Sequence, residues 1–317
     1  MKMDARNFLM HRLRQFGTLG GLLLLSGVLW ALSPYFLSVS NLLNIAEQTA
    51  TIATIAAGMT FVIISGGIDL SVGSVLAFAG VVMASALHAG VGAPLGIAVA
   101  LGAGALCGAL NGFFITFGKL PPFIATLGMM SVARGAALMF TEGRPVSGFS
   151  ESFRFLAVGQ VFHVAMPVII MLVLYAVAHL ALTRTKLGRY TYAIGGNEKA
   201  AILAGVNVKL YKIMIYALAG LLAGLAAIIL TARLNSAQPI AGINYELDAI
   251  AAAVIGGASL MGGEGAVFGT LIGALIMGVL RNGLNLLGIS SFAQQVAIGS
   301  IIIIAVFFDV ALKPARS

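Results

Sequence analysis

The run Tyr211–Arg233, "YKIMIYALAGLLAGLAAIILTAR", decides what kind of chain this is. Between Ile213 and Leu230 it carries no charge. About 20 consecutive apolar residues cross the hydrocarbon core of a bilayer as a helix, at roughly 1.5 Å of rise per residue. Within the run Gly220 and Gly224 stand one turn apart, a spacing of small residues that lets two backbones approach closely in lipid. Working outward, apolar segments recur at roughly 17–37, 49–66, 70–88, 92–117, 121–140, 160–182, 211–233, 247–261, 266–288 and 291–311. The third, fifth and eighth are short or interrupted by Gly, Pro or a charge. The composition agrees, being 60% hydrophobic and 9% charged, where soluble domains hold about 45–50% and 25%. The reading is an all-α polytopic membrane protein with about 8–10 transmembrane helices, some broken or short. It forms a single transmembrane domain over residues 1–317.

The net charge of +8 comes from clusters at the ends of apolar runs, which encode topology and do not point to nucleic acid. Lys2, Arg6, Arg12 and Arg14 precede the first segment, and Lys119 follows the fourth. Arg184, Lys186, Arg189, Lys199, Lys209 and Lys212 lie after the sixth, and Lys313 and Arg316 close the chain. With ten crossings all of these fall on one side, the cytoplasm by the positive-inside rule. Residues 1–16, 183–210 and 312–317 are then cytoplasmic, and both termini with them. The N-terminal run also has the look of a signal peptide. A retained first helix is the preferred reading, because the run reaches Leu37 without a small-residue cleavage site. The outer segments 141–159 and 234–248 read as ordered extracellular turns. The single cysteine, Cys107, permits neither an intrachain disulfide nor a cysteine metal site, and no other metal site is expected.

Glycine is abundant, 40 of 317 residues, and much of it is spaced by four: Gly104, Gly108 and Gly112; Gly220 and Gly224; Gly265, Gly269 and Gly273. These stripes suit close packing within one bundle, or a subunit interface built from the same faces. An internal echo, "GGIDLSVG" (Gly66–Gly73) and "GGASLMGG" (Gly256–Gly263), follows two apolar runs. Glycine pairs break a helix, and broken helices near the membrane's middle are a common way to build a solute site.

Ionisable residues inside spans are expensive and invite a functional reading. Arg134 and Arg281 are the intramembrane charges, and Asp69 sits where it would cap the third segment. Asn282 and Asn285 lie beside Arg281 on one helix face, where they either hold helices together or line a path for a hydrogen-bonding solute. Catalytic motifs are missing: there is no GxSxG, no HExxH and no Walker A pattern GxxxxGK[ST]. Intramembrane carboxylates, which ion-coupled carriers tend to need, are nearly missing as well, and a solute path without chemistry or an ion relay suggests that energy enters through another protein.

The polar stretch "GGNEKAAILAGVNV" (Gly195–Val208) carries its own start and stop signals. Asn197 is a good N-cap, Glu198 suits the positive end of the dipole, and Gly205 is a plausible C′ stop. A helix of about eight residues is marginal alone in water. It reads either as a solvated loop with one helical turn or as a docking helix for a cytoplasmic partner.

Three motifs in order, "GMTFVIISGGIDLSVGS", "TKLGRYTYAIGGNEKAAILAGVNV" and "SAQPIAGINYELDAIAAAVIGGASLMGG", resemble the permease subunit of ribose-type ABC sugar importers. The resemblance runs from about Leu37 to Asp309, and "ARLNSAQPIAG" and "RNGLNLLG" favour the ribose member. It implies an inner-membrane permease, working as a homodimer or pseudo-symmetric pair within membrane lipid. Two copies of an ATPase would bind from the cytoplasm and hydrolyse ATP with Mg, this chain holding no cofactor. A periplasmic binding protein would deliver a monosaccharide. The family's coupling helix falls on Asn197, Glu198, Ala200, Ala201, Leu203 and Gly205, although Lys199 and the spacing to the glycine depart from the older EAA…G signature. Asp69, Ser71, Ser74, Asn282 and Asn285 become candidates for the translocation path, and Arg144, Arg154 and Arg233 for binding-protein docking. A stand-alone carrier or facilitator is the rival reading.

Overall fold

A computed structural model describes residues 5–311, and the side-chain surroundings of 17–304 and 307. The charged ends 1–4 and 312–317 lie outside the described residues, as do the side chains of 5–16. In chain order the helices are α1 (Ala5–Leu32), α2 (Val39–Ile64), α3 (Val72–His88), α4 (Ala93–Thr116), α5 (Pro122–Thr141), α6 (Glu151–Val158), α7 (Met166–Arg184), α8 (Lys186–Gly196), α9 (Glu198–Leu203), α10 (Val208–Leu234), α11 (Tyr245–Ile255), α12 (Val267–Leu286) and α13 (Ser291–Ala311). Two-residue strands β1 (Val146–Ser147) and β4 (Ser236–Ala237) pair antiparallel, as do β2 (Gln160–Val161) and β3 (Val164–Ala165). Among the described residues α2, α4, α5, α7, α10 and α12 are each long and apolar enough to cross a bilayer. Gly17–Leu32, α3 and Ser291–Ile304 are shorter apolar helices. The chain is a multi-pass, all-α membrane protein.

The segments read from sequence correspond to these helices, with three differences. Helix α2 begins ten residues before the expected 49, at Val39, where the Ser38 side chain accepts the Asn41 N–H. Its first turns carry Asn41, Asn44, Glu47 and Gln48, so counting apolar residues missed them. The segment 247–261 is not one continuous helix: α11 holds 11 residues, about 16 Å, and the chain turns at Gly257, φ +93°. The outer segments are more than turns, since 141–159 contains α6, capped by Ser150.

Packing is set by the glycines. A Cβ on Gly108 would collide with the Tyr216 carbonyl, and one on Gly104 with that of Gly220. On the facing helix, a Cβ on Gly224 would lie 2.5 Å from the Ala100 carbonyl. The stripes of α4 and α10 therefore face each other within one chain. Gly269 and Gly273 likewise sit on the backbones of Gly256 and Ala252, closing α12 on α11. The alternative of a subunit interface on these same faces is removed, because they are already used.

Helix α2, the most buried span, packs against α7, α10, α11 and α12. Hydrogen bonds fix its register. The Tyr175 hydroxyl of α7 donates to the Ala53 carbonyl at 2.9 Å. Thr60 and Thr270 share a 2.7 Å bond to α12. Asn41 and Asn282 exchange reciprocal amide bonds of 2.9 and 2.8 Å. Arg281 holds both oxygens of Asp248 at 2.8 and 2.6 Å, tying α12 to α11.

Two outcomes follow for unfolding in detergent. Gly108→Ala is expected to lose about 1–3 kcal/mol through overpacking. Gly102→Ala, on the same helix with open space around its Cβ, is expected to be neutral or to gain up to about 1 kcal/mol from helix propensity. The Asp248–Arg281 pair is asymmetric, since Asp248 is 1% exposed and the Arg281 side chain 35%. Arg281→Met strands a buried carboxylate and should cost roughly 3–5 kcal/mol. Asp248→Asn leaves an arginine that can reach outward and keeps a neutral acceptor, for a loss of about 1–2 kcal/mol.

Candidate functional site

Two ends of the bundle are distinguished by what closes them. At one end the C-terminus of α7 leads through α8 and α9 into α10; Lys209, beside that arm, stacks over Phe117 at the end of α4. At the other end β1 pairs with β4 and His88, closing α3, packs edge-on against Phe149.

The arm is built from its caps inward. Thr185 starts α8, its hydroxyl accepting the Gly188 N–H at 3.4 Å. Asn197 ends α8 and caps α9, accepting the Ala200 N–H at 3.0 Å. Gly205 turns the chain at φ +80°. The cap and the stop stand where the sequence puts them, and α9 is six residues long where about eight were expected. Glu198 pairs with Lys212 of α10 at 2.7 Å. The side chains then divide between two faces. Ala201 is buried against Ile194 and Val208, so it seats the helix and does not face outward. Ile202 and Leu203 are 55% and 88% exposed, and Ala200 is exposed with them. Ile202 was not singled out from sequence, because a six-residue helix has no phase until the surface beneath it is known. Tyr190 and Tyr211 stack edge to face at 4.6 Å between their centroids beneath the arm.

Beyond α2 the chain does not enter α3 directly. Asp69 is not the N-cap of α3: that position is Ser71. The Asp69 carboxylate instead accepts both the Ser71 N–H at 2.8 Å and the Ser71 hydroxyl at 2.6 Å. The Asn111 amide of α4 donates to the same hydroxyl at 2.9 Å. Asp69, Ser71, Ser74 and Asn111 are all buried. An ionised carboxylate in such a place persists only by its hydrogen bonds. The Asn111 Oδ1 and the Tyr216 hydroxyl nearby are buried without partners, and the Tyr216 hydroxyl rests on Gly67. Asn111 and Tyr216 were missed from sequence because each is a single polar group in an apolar span with no motif around it.

The segment 238–244 is a further correction. Read as an extracellular turn, it folds inward as a strap. The Gly242 carbonyl abuts Gly73 at the start of α3, a contact that only glycine at 73 allows. Arg134 of α5 holds the strap, donating to the carbonyls of Pro239 at 2.7 Å and Ala241 at 2.8 Å. An intramembrane arginine is accounted for by backbone acceptors that a sequence does not display.

The other candidates separate. Asn282 pairs with Asn41 of α2, while Asn285 accepts from Gln294 of α13 at 2.8 Å. Both lie at helix contacts, and a common path-lining face is not apparent in their bonding. The Arg281 Nε and Thr49 Oγ1 are buried without partners beside a cavity of about 30 Å³ between α2 and α12. Arg144, Arg154 and Arg233 all lie at the β1–β4 end; Arg144 is exposed and the other two half-buried. No group of three or more His, Cys, Asp or Glu that could hold a metal occurs among the described residues.

Comparison with known proteins fits this architecture. The family model described as "Branched-chain amino acid transport system / permease component" matches residues 41–309. The ribose import permease protein RbsC of Bacillus subtilis is 50% identical over 299 residues, 94% of this chain and 93% of that protein. The D-allose transport system permease protein AlsC of Escherichia coli is 40% identical, over 93% of this chain and 91% of its own length. The L-arabinose transport system permease protein AraH of Escherichia coli is 40% identical, over 87% and 84%. No solved structure matches the chain. A family match spanning most of the sequence, and relatives of this identity over nearly their full length, establish that the chain belongs to that permease-component family of transport proteins.

Proposed function

We propose that the chain is the transmembrane permease subunit of an ATP-driven importer that moves a monosaccharide, ribose by preference, across the bacterial inner membrane. The observation that carries this reading is the 50% identity to ribose import permeases over 94% of the chain. The α8–α9 end is cytoplasmic, with both termini, and receives an ABC ATPase that binds and hydrolyses ATP with Mg. The β1–β4 end faces the periplasm, where Arg144, Arg154 and Arg233 meet acids of a soluble sugar-binding protein. Two copies of the chain form the pore in membrane lipid. The path runs past Asp69, Ser71 and Ser74, whose hydroxyls and carboxylate suit a polyhydroxylated solute; Asn282 and Asn285 are weaker members of it. ATP binding closes the ATPases, α9 moves with them, and the path alternates between outward- and inward-open.

The exposed apolar pair Ile202 and Leu203 supports the docking part of this reading. Covering such side chains contributes about 1.5–3 kcal/mol each. Leu203→Glu and Ile202→Glu should each weaken co-purification of the ATPase by tenfold or more, while Ala200→Ser leaves it intact. Retention of the ATPase by the Leu203→Glu, Ile202→Glu double variant places the docking surface elsewhere.

The reading against a stand-alone carrier is decided in proteoliposomes. The purified chain alone should show no saturable ribose flux, and uptake should require ATPase, binding protein and ATP together. Saturable flux from the chain alone contradicts the proposal.

A further inference from the structure

Two interruptions of helical backbone and the last turn of α8 meet at one point beneath the arm. The interruptions are Gly66–Gly67 after α2 and Gly262–Gly263 between α11 and α12, and α8 ends on Gly195 and Gly196, just before Asn197. The carbonyl of Ile64, the last residue of α2, accepts the Gly263 N–H at 2.8 Å. Gly195 packs directly on that same carbonyl, so closely that a Cβ there would overlap it and would also stand 2.7 Å from the Gly263 nitrogen. A Cβ on Gly262 would lie 2.8 Å from the Gly195 carbonyl oxygen and 3.0 Å from the Gly66 Cα. One turn back on α8, the Tyr192 hydroxyl donates to the Gly265 carbonyl at 2.6 Å. Burial pushes the Tyr192 phenol up to about 12, so it stays a donor at any physiological pH.

We propose that Gly195 and Tyr192 form the joint that carries displacement of α9 into both helix breaks at once. This rests on the reading of α9 as the ATPase-coupling helix. The geometry supplies the reason. Asn197 is the single residue between α8 and α9 and caps both, so the end of α8 follows any movement of α9. That end cannot move relative to α2 without separating Gly195 from the Ile64 carbonyl, and the same carbonyl holds Gly263. It cannot move relative to α12 without losing the Tyr192 bond. From Ile64 the displacement reaches Asp69, Ser71 and the start of α3, where Gly73 meets the strap held by Arg134. From Gly265 it reaches the first turn of α12. Tightly packed backbones of this kind shift between discrete arrangements and do not deform smoothly. Both residues are positioning residues: neither touches sugar or nucleotide.

The test uses the full complex, with ATPase and binding protein, in proteoliposomes, and reads ribose transported per ATP hydrolysed. Tyr192→Phe removes one hydroxyl and should lower that ratio about three- to tenfold, the worth of one lost hydrogen bond, with the ATPase still bound and hydrolysing. Gly195→Ala should lower it further. Gly196→Ala, whose Cβ meets nothing within 4 Å, should leave it at the wild-type value. An unchanged ratio in Tyr192→Phe, or equal effects of Gly195→Ala and Gly196→Ala, overturns the joint while leaving ATPase docking at α9 intact. If Gly195→Ala does not fold, the Tyr192→Phe ratio alone decides. A wild-type chain that binds no ATPase overturns the docking reading, and the joint with it.

Discussion

In a bilayer every backbone N–H and C=O must find its partner within the protein, because the surrounding hydrocarbon offers none. Regular helices meet that demand locally, and broken ones do not. This chain breaks after α2, after α10 and after α11, and each break is satisfied by a named contact from elsewhere. The Ile64 carbonyl takes the Gly263 N–H, the Gly265 carbonyl takes the Tyr192 hydroxyl, and the strap carbonyls of Pro239 and Ala241 take Arg134. The polar residues that look out of place in an apolar sequence are largely the ones that make these breaks possible.

Close approach is the second requirement, and glycine supplies it. The α4–α10 and α11–α12 contacts bring backbone against backbone, so dispersion and not solvent exclusion holds them in lipid. The junction at Gly195 uses the same device at the end of the bundle. Packing that is this tight leaves little room for gradual motion. It favours transmission by whole-element shifts.

The sequence made much of this legible, though unevenly. The apolar run 211–233 became α10 over Val208–Leu234, because length and hydropathy are read directly. The cap and stop of α9 were legible for the same reason, Asn197 and Gly205 having few other uses. The first ten residues of α2 were not, since Asn41 is held by the Phe36 carbonyl and by Asn282, 241 positions away. Asp69 lies two residues short of the helix it was expected to cap, because Ser71 takes that place. The inward strap left no signal beyond Gly242, and the partners of Arg134 are carbonyls, which every residue has. The echo of Gly66–Gly73 and Gly256–Gly263 was visible, and its meaning lies in the space the two share with Gly195.

The central claim is that α9, the end of α2 and the α11–α12 break move as one body. Spin-label distances in the assembled complex test it, using a Cys107→Ser background with labels at Lys199→Cys on α9, Met261→Cys in the break and Phe162→Cys at the opposite end. Between nucleotide-free and ATP-trapped states, the account predicts an unchanged 199–261 distance and a changed 199–162 distance. A 199–261 distance that itself changes with nucleotide contradicts it.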